Sequence, residues 1–137
     1  MHCTVITGKL NIERRILKDC AGEKSNYLNG GINDMLKGIP EILSPELLKV
    51  LCEMGHSDRL VIADGNFPVE SMGKNAITIR CDGHGVPEIL EAILKVFPLD
   101  TYVEHPVNLM EVMPGDDVET PIWDTYKEII RKYDDRG

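Results

Sequence analysis

From Glu53 to Pro68 the chain reads Glu-Met-Gly-His-Ser-Asp-Arg-Leu-Val-Ile-Ala-Asp-Gly-Asn-Phe-Pro, and that order leaves few folds open. Gly55 ends a helix, because glycine accepts the left-handed backbone in which helices commonly stop. Leu60 to Ala63 is an apolar run of strand length, broken by the Gly65-Asn66-Phe67-Pro68 loop. A helix, a tight turn and a strand that empties into a loop form the repeating step of α/β folds, where polar groups at strand ends line the ligand crevice. His56 stands at the entry to this strand and Asp64 at its exit. The pair brackets the strand and is expected to face one crevice.

The neighbouring residues extend the same pattern. Ser44-Pro45-Glu46 is a helix start, since Ser caps free N–H groups and Pro in the first turn has none to satisfy. Leu47, Leu48, Val50, Leu51 and Met54 supply that helix's apolar face. Ala76 to Arg80 alternates with period two, and with Leu60 to Ala63 it fits neighbouring strands of one sheet. The residues between them, 65–75, have the composition of a surface loop. After the Cys81-Asp82-Gly83-His84-Gly85 turn, a helix buries Ile89, Leu90, Ile93, Leu94 and Phe97 and stops at Pro98. Val107 to Met113 reads as a third strand, Pro114 to Asp117 as a turn, and Trp123, Tyr126, Ile129, Ile130 and Tyr133 as the face of a last helix. The fold class is therefore α/β, a single domain with helices packed on a sheet and no internal repeat.

Composition sets limits on partners and place. The chain has 137 residues, 42% hydrophobic and 28% charged, with a net charge of −8, which is one domain with one core. That acidity argues against nucleic acid or an anionic membrane as partner, since both demand a basic surface. A neutral or cationic small molecule suits it. Cys3, Cys20, Cys52 and Cys81 form no CxxC pair and read as free thiols of a reducing cytosol. No apolar run approaches the roughly 18 residues of a membrane span, and residues 1–20 lack the apolar region of a secretory signal. The first 34 residues carry five basic and four acidic side chains, against ten and nineteen afterwards, so a boundary is expected near residue 34. Before it, Thr4 to Thr7 reads as a short strand, Ile12, Ile16, Leu17 and Cys20 as one face of a helix, and Asn26 to Asn33 as linker.

Each candidate site residue has a plain structural alternative. His56 after a terminal glycine suits the negative end of the helix dipole whether or not it does chemistry; yet histidine is the side chain best suited to moving protons near neutrality. Asp64 alone would be a turn residue opening a loop, and its interest lies in the pairing with His56. Asp100, with Tyr102, follows the second helix where the chain turns toward the third strand, and is as readily a turn former. His84 and His105 are turn and loop residues. The four histidines, at 2, 56, 84 and 105, have no ligand spacing, so no metal is expected. The Gly-rich turns lack the lysine or GxGxxG frame of a phosphate cradle.

The residues also carry a resemblance. Gly38-Ile39-Pro40, Leu43 to Leu48, Met54 to Asp58, Ala63-Asp64 with Asn66-Phe67-Pro68, Ile79-Arg80 with Asp82-Gly83, and Pro98 to Tyr102 resemble the RbsD/FucU family, animal-type L-fucose mutarotases most of all. The likeness runs from about Met35 to about Arg131. It implies an α/β fold, cofactor-free interconversion of α and β sugar anomers, L-fucose as ligand, and homo-oligomers whose sites lie at or near subunit interfaces. By position in the family's motifs, His56 is the proton donor and Asp64, Asp100 and Met110 contact the sugar. Two carboxylates accepting hydroxyl hydrogen bonds, with a methionine against an apolar sugar face, make a plausible pocket. Arg80 and Asp82 are left as structural partners.

The family pattern continues past the helix of Trp123 to Tyr133 with a helical segment bearing a catalytic Tyr and a last strand bearing Tyr-Gly-Asn, and this sequence ends before both. The expectation is an atypical extension, 1–34, followed by a C-terminally truncated mutarotase-like domain, 35–137. Two faint echoes of the missing part occur in the extension, at Ala21 to Asn29 and Thr7 to Lys18. They exclude each other and are read as chance, with a circular permutation as the second reading. Two functions are then in play: a cytoplasmic L-fucose mutarotase working through His56, and a non-catalytic sugar-binding domain that retains His56 and Asp64.

Overall fold

The computed structural model describes residues 3–8, 14–16 and 36–135. In chain order the elements are β1 (Cys3–Gly8), β2 (Arg14–Ile16), α1 (Pro45–Glu53), β3 (Arg59–Asp64), α2 (Val69–Met72), β4 (Ile77–Arg80), α3 (Val86–Val96) and α4 (Ile122–Arg131). The expected linker, Asn26 to Asn33, lies outside the described residues.

The four strands form one sheet around β1. Along one edge β1 pairs antiparallel with the whole of β3, from Cys3 opposite Asp64 to Gly8 opposite Arg59. Thr4 and Val5 also pair with Arg80 and Ile79 of β4, and Ile6 to Gly8 with β2. The strand expected at Thr4 to Thr7 is therefore present and central. The expected pairing of β3 with β4 is not made. β3 and β4 share a sheet but are not neighbours: both run antiparallel to β1, which separates them. Arg14 to Ile16, expected within a helix, is strand, because pairing with Ile6 to Gly8 overrides a weak apolar spacing.

The helices form as the sequence dictates. Ser44 Oγ accepts the Leu47 N–H at 3.1 Å, a cap that stabilises a helix by about 1 kcal/mol. Pro45 opens the first turn, and α1 buries Leu47, Val50 and Leu51. α3 buries Ile89, Ala92, Ile93 and Leu94 and gives way at Phe97, whose backbone is extended (φ −126°, ψ 115°). The cause is Pro98, whose ring disfavours helical backbone in the residue before it. α4 packs Ile129 and Ile130 on Leu94, with Trp123 and Tyr126 half-buried. Tyr133 lies past its end and is exposed.

The main core joins α1, β4 and α3 through Leu43, Leu47, Val50, Leu51, Ile79, Cys81, Ile89, Ala92 and Ile93, with Leu60 and Ile62 of β3 against it. Burying Leu47, Ile89 and Ile93 completely contributes about 1.5–3 kcal/mol each. Two smaller clusters flank it, Val69 with Phe67 and Ala76, and Leu94 with Ile129 and Ile130. The 65–75 loop is thus partly ordered, since α2 anchors it through Val69.

The third expected strand, Val107 to Met113, is absent: the segment is irregular. Strand-type composition only offers a pleated surface, and a strand forms when a neighbour completes the ladder. No described strand lies beside these residues. Val107 turns inward onto the α3/α4 cluster, while Leu109, Met110 and Met113 are exposed.

Candidate active site

The turn between α1 and β3 aims the histidine. Asp58 N–H donates to the Gly55 carbonyl at 3.0 Å, closing a four-residue turn with His56 and Ser57 at its centre. Ser57 has φ +70°, the one positive φ among the described non-glycine residues, so the turn has the type II pattern. That backbone costs an L-residue roughly 1–2 kcal/mol, and it persists because the turn is clamped from below. Asp58 Oδ2 accepts the Gly55 N–H at 2.8 Å. His56 is lifted to the tip, with 59% of its side chain exposed.

The residue that meets it is Asp100, beyond α3. His56 Nδ1 lies 2.8 Å from Asp100 Oδ2. Asp100 Oδ1 accepts the Tyr102 N–H at 2.8 Å, so the carboxylate is fixed by its own loop before it reaches the imidazole. The Tyr102 N–H holds the Asp100 pKa below the ordinary carboxylate range, opposed by partial burial and helped by the His56 ring and the Ser57 N–H. An ionised carboxylate only accepts hydrogen bonds, so His56 must donate from Nδ1. Its Nε2 is then the nitrogen that can take up or give a proton toward a ligand. Tyr102 closes the group: its ring centroid is 5.1 Å from that of His56, with the planes at 72°.

The other expected residues lie elsewhere. Asp64 Oδ1 accepts the Asn66 N–H at 2.9 Å, the geometry of a turn residue. The six residues of β3 set the strand's ends about 17 Å apart at the usual rise, with the His56 turn before one end and Asp64 at the other. Met110 is exposed in the irregular segment. Arg80 and Asp82 do pair, Nε to Oδ1 at 3.7 Å, with the Arg80 side chain partly exposed and the Asp82 carboxylate oxygens buried. A wide concavity of about 600 Å³ opens between Thr101 and Arg131 to Asp135, beside the His56 group rather than over it. Among the described residues no three His, Cys, Asp or Glu side chains gather around a possible metal position, and no helix is long and apolar enough to cross a membrane.

Sequence reasoning paired His56 with Asp64 because they flank one strand. It missed the contact with Asp100, 44 positions on, although Asp-Thr-Tyr after a helix-ending proline is the composition of a turn whose aspartate holds its own loop.

Comparison with known proteins decides the family. The profile of the RbsD / FucU transport protein family matches residues 37–136. The chain belongs to the RbsD/FucU family. Human fucose mutarotase is 50% identical over 101 residues, covering 71% of this chain and 66% of that protein. Among solved structures, this RbsD/FucU chain is similar to FucU from Bifidobacterium longum, with 62% identity and TM-score 0.66, covering 74% of this chain and 71% of that one. It is also similar to the fucose mutarotase of Streptococcus pneumoniae solved in complex with L-fucose, with 41% identity, TM-score 0.61 and the same coverage. The chain spans about two thirds of the length of the curated relatives it matches. The α/β fold expected from the sequence is that of these family structures.

Proposed function

We propose that this chain is an L-fucose mutarotase, an isomerase that interconverts the α and β anomers through the open-chain aldehyde. The observation that carries the reading is the His56–Asp100 contact, which engages Nδ1 of a largely exposed ring and leaves Nε2 as the nitrogen for proton exchange. The fucose mutarotases among its relatives and the L-fucose complex of a structural neighbour support the choice of sugar.

Ring opening breaks the bond between the anomeric carbon and the ring oxygen while the anomeric hydroxyl becomes a carbonyl. One proton leaves that hydroxyl and one arrives at the ring oxygen, so the sugar gains and loses nothing. His56, protonated at Nε2 as the imidazolium, gives that proton to the ring oxygen on opening and takes it back on closing, while solvent water accepts and returns the proton of the anomeric hydroxyl. Rotation about the bond next to the aldehyde presents its other face, and closure gives the other anomer. Asp100 serves first as the support of His56. Asp64 and Met110 remain sugar contacts in this reading, in agreement with their exposure. With β3 between Asp64 and His56, Asp64 reaches the sugar held at His56 most simply across a subunit interface. Exposed Leu109, Met110, Met113 and Val118 support a homo-oligomer with its contacts near this segment. Free Cys52 supports a reducing, cytoplasmic setting. Residues 35–137 form the mutarotase-like domain, and 1–34 are an extension that lends β1 to the sheet.

The test is exchange NMR of the fucose anomers with and without protein. Interconversion above the buffer rate, lost in His56→Gln, is expected. Sugar binding with exchange at the buffer rate would instead make the chain a non-catalytic binding domain.

A further inference from the structure

We infer that Tyr102 is a sugar-contacting residue that selects for an apolar substituent on the ring, such as the methyl group of a 6-deoxy sugar. The inference rests on the mutarotase reading for its choice of probe and deepens it. Tyr102 is 86% exposed, unusual for a large aromatic that is nonetheless held in place. Its N–H is fixed on Asp100 Oδ1 at 2.8 Å, and its ring meets the His56 ring edgewise. Both residues thus hang from one carboxylate, with the exposed imidazole and the exposed phenol side by side. An edge contact leaves most of the phenol ring uncovered. Aromatic rings bring a large apolar area with little conformational freedom to lose, and are suited to C–H and methyl groups of a ligand.

A sugar whose anomeric end meets His56 Nε2 therefore has Tyr102 as the adjoining wall. On that wall a methyl group buries apolar area, whereas a hydroxymethyl group must give up water around its oxygen without a partner on the ring. L-Fucose and L-galactose differ in this one substituent, which makes them the matched pair of probes.

The experiment measures binding of L-fucose and L-galactose by NMR titration of the full chain, for the parent, Tyr102→Phe and Tyr102→Ala, with anomer exchange recorded in the same samples. Tyr102→Phe should retain the preference for L-fucose, since the ring and not the hydroxyl provides the contact. Tyr102→Ala should lower the ratio of the two affinities by about tenfold, while its melting temperature stays at the parent value because the side chain is exposed. An unchanged ratio in Tyr102→Ala overturns the inference. Binding without exchange in the parent would sink the mutarotase reading alone, because the affinity ratio is read independently of turnover. No binding of either sugar by the parent overturns both.

Discussion

Asp100 Oδ2 lies 2.8 Å from His56 Nδ1, across a gap that joins the turn before β3 to the turn after α3. Neither turn could fix the imidazole alone, since His56 is at an exposed tip. Replacing the carboxylate by its amide tests this. Asp100→Asn retains the shape but can present an N–H₂ to Nδ1 and so favour the other tautomer, and anomer exchange should fall by about 10- to 100-fold. Nitrogen chemical shifts of the His56 ring report the tautomer directly. An unshifted ring with full activity would remove Asp100 from its supporting role.

The same carboxylate predicts an acid limit. Its folded-state pKa lies below the ordinary carboxylate value because the Tyr102 N–H, the His56 ring and the Ser57 N–H favour the charged form. Its stabilising contribution is therefore fully present above the ordinary carboxylate range and is lost as pH falls through the depressed value. The melting temperature of the parent should exceed that of Asp100→Asn by a constant margin near neutrality, and the margin should shrink at the acid end. A margin growing toward low pH would contradict the assignment.

Ser57 should reveal strain. With φ at +70°, Ser57→Gly removes a steric cost of roughly 1–2 kcal/mol while adding back part of it through the freer unfolded chain. A net gain of about 0.5–1 kcal/mol in urea denaturation is expected. Ser57→Val, branched at Cβ, should lose 1 kcal/mol or more, roughly, and turn His56 out of line, which exchange NMR would show as lost activity.

Asp64 discriminates between a turn former and a ligand. Asp64→Ala should weaken L-fucose binding by about 1–3 kcal/mol if a sugar hydroxyl is left without its acceptor. Asp64→Asn, able to serve the Asn66 N–H equally well, should restore the turn but only part of the affinity. Titrations of both variants that match the parent would leave Asp64 with its turn alone.

What could be read from the sequence was whatever depends on near neighbours. Ser44 and Pro45 start α1 through local hydrogen bonding, Pro98 stops α3 through a clash with Phe97, and the apolar spacings of Leu47 to Leu51 and Ile89 to Leu94 choose the buried faces; all are settled within a few residues. What failed depended on partners far away. Val107 to Met113 has strand composition but finds no described strand to pair with, and Arg14 to Ile16 becomes strand because Ile6 to Gly8 lies beside it. The site divides the same way: His56 was evident from its turn, whereas its contact with Asp100 is made by the packing of α3, which no periodicity displays.

Val5 tests the sheet's centre. It lies opposite Ile62 on one side and Ile79 on the other, so Val5→Pro removes a donor where the ladder has no free edge. The expected loss is roughly 3 kcal/mol or more, seen as a lower urea midpoint, while Lys37→Pro, outside any element, should cost far less. Deleting residues 1–34 should expose the facing edges of β3 and β4 and drive aggregation, measurable by light scattering.

The position of β1 also has a consequence in time. β1 precedes its partners in β3 and β4 by more than fifty positions, so until they are made it can pair only with β2. Until Arg80 has been synthesised, Thr4 and Val5 lack their β4 partners, and joining β1 to β3 and β4 must overcome the entropy of a long loop. The sheet should therefore close only once β4 has emerged, with α1 formed before it and chaperone dependence concentrated in the interval before β4 emerges.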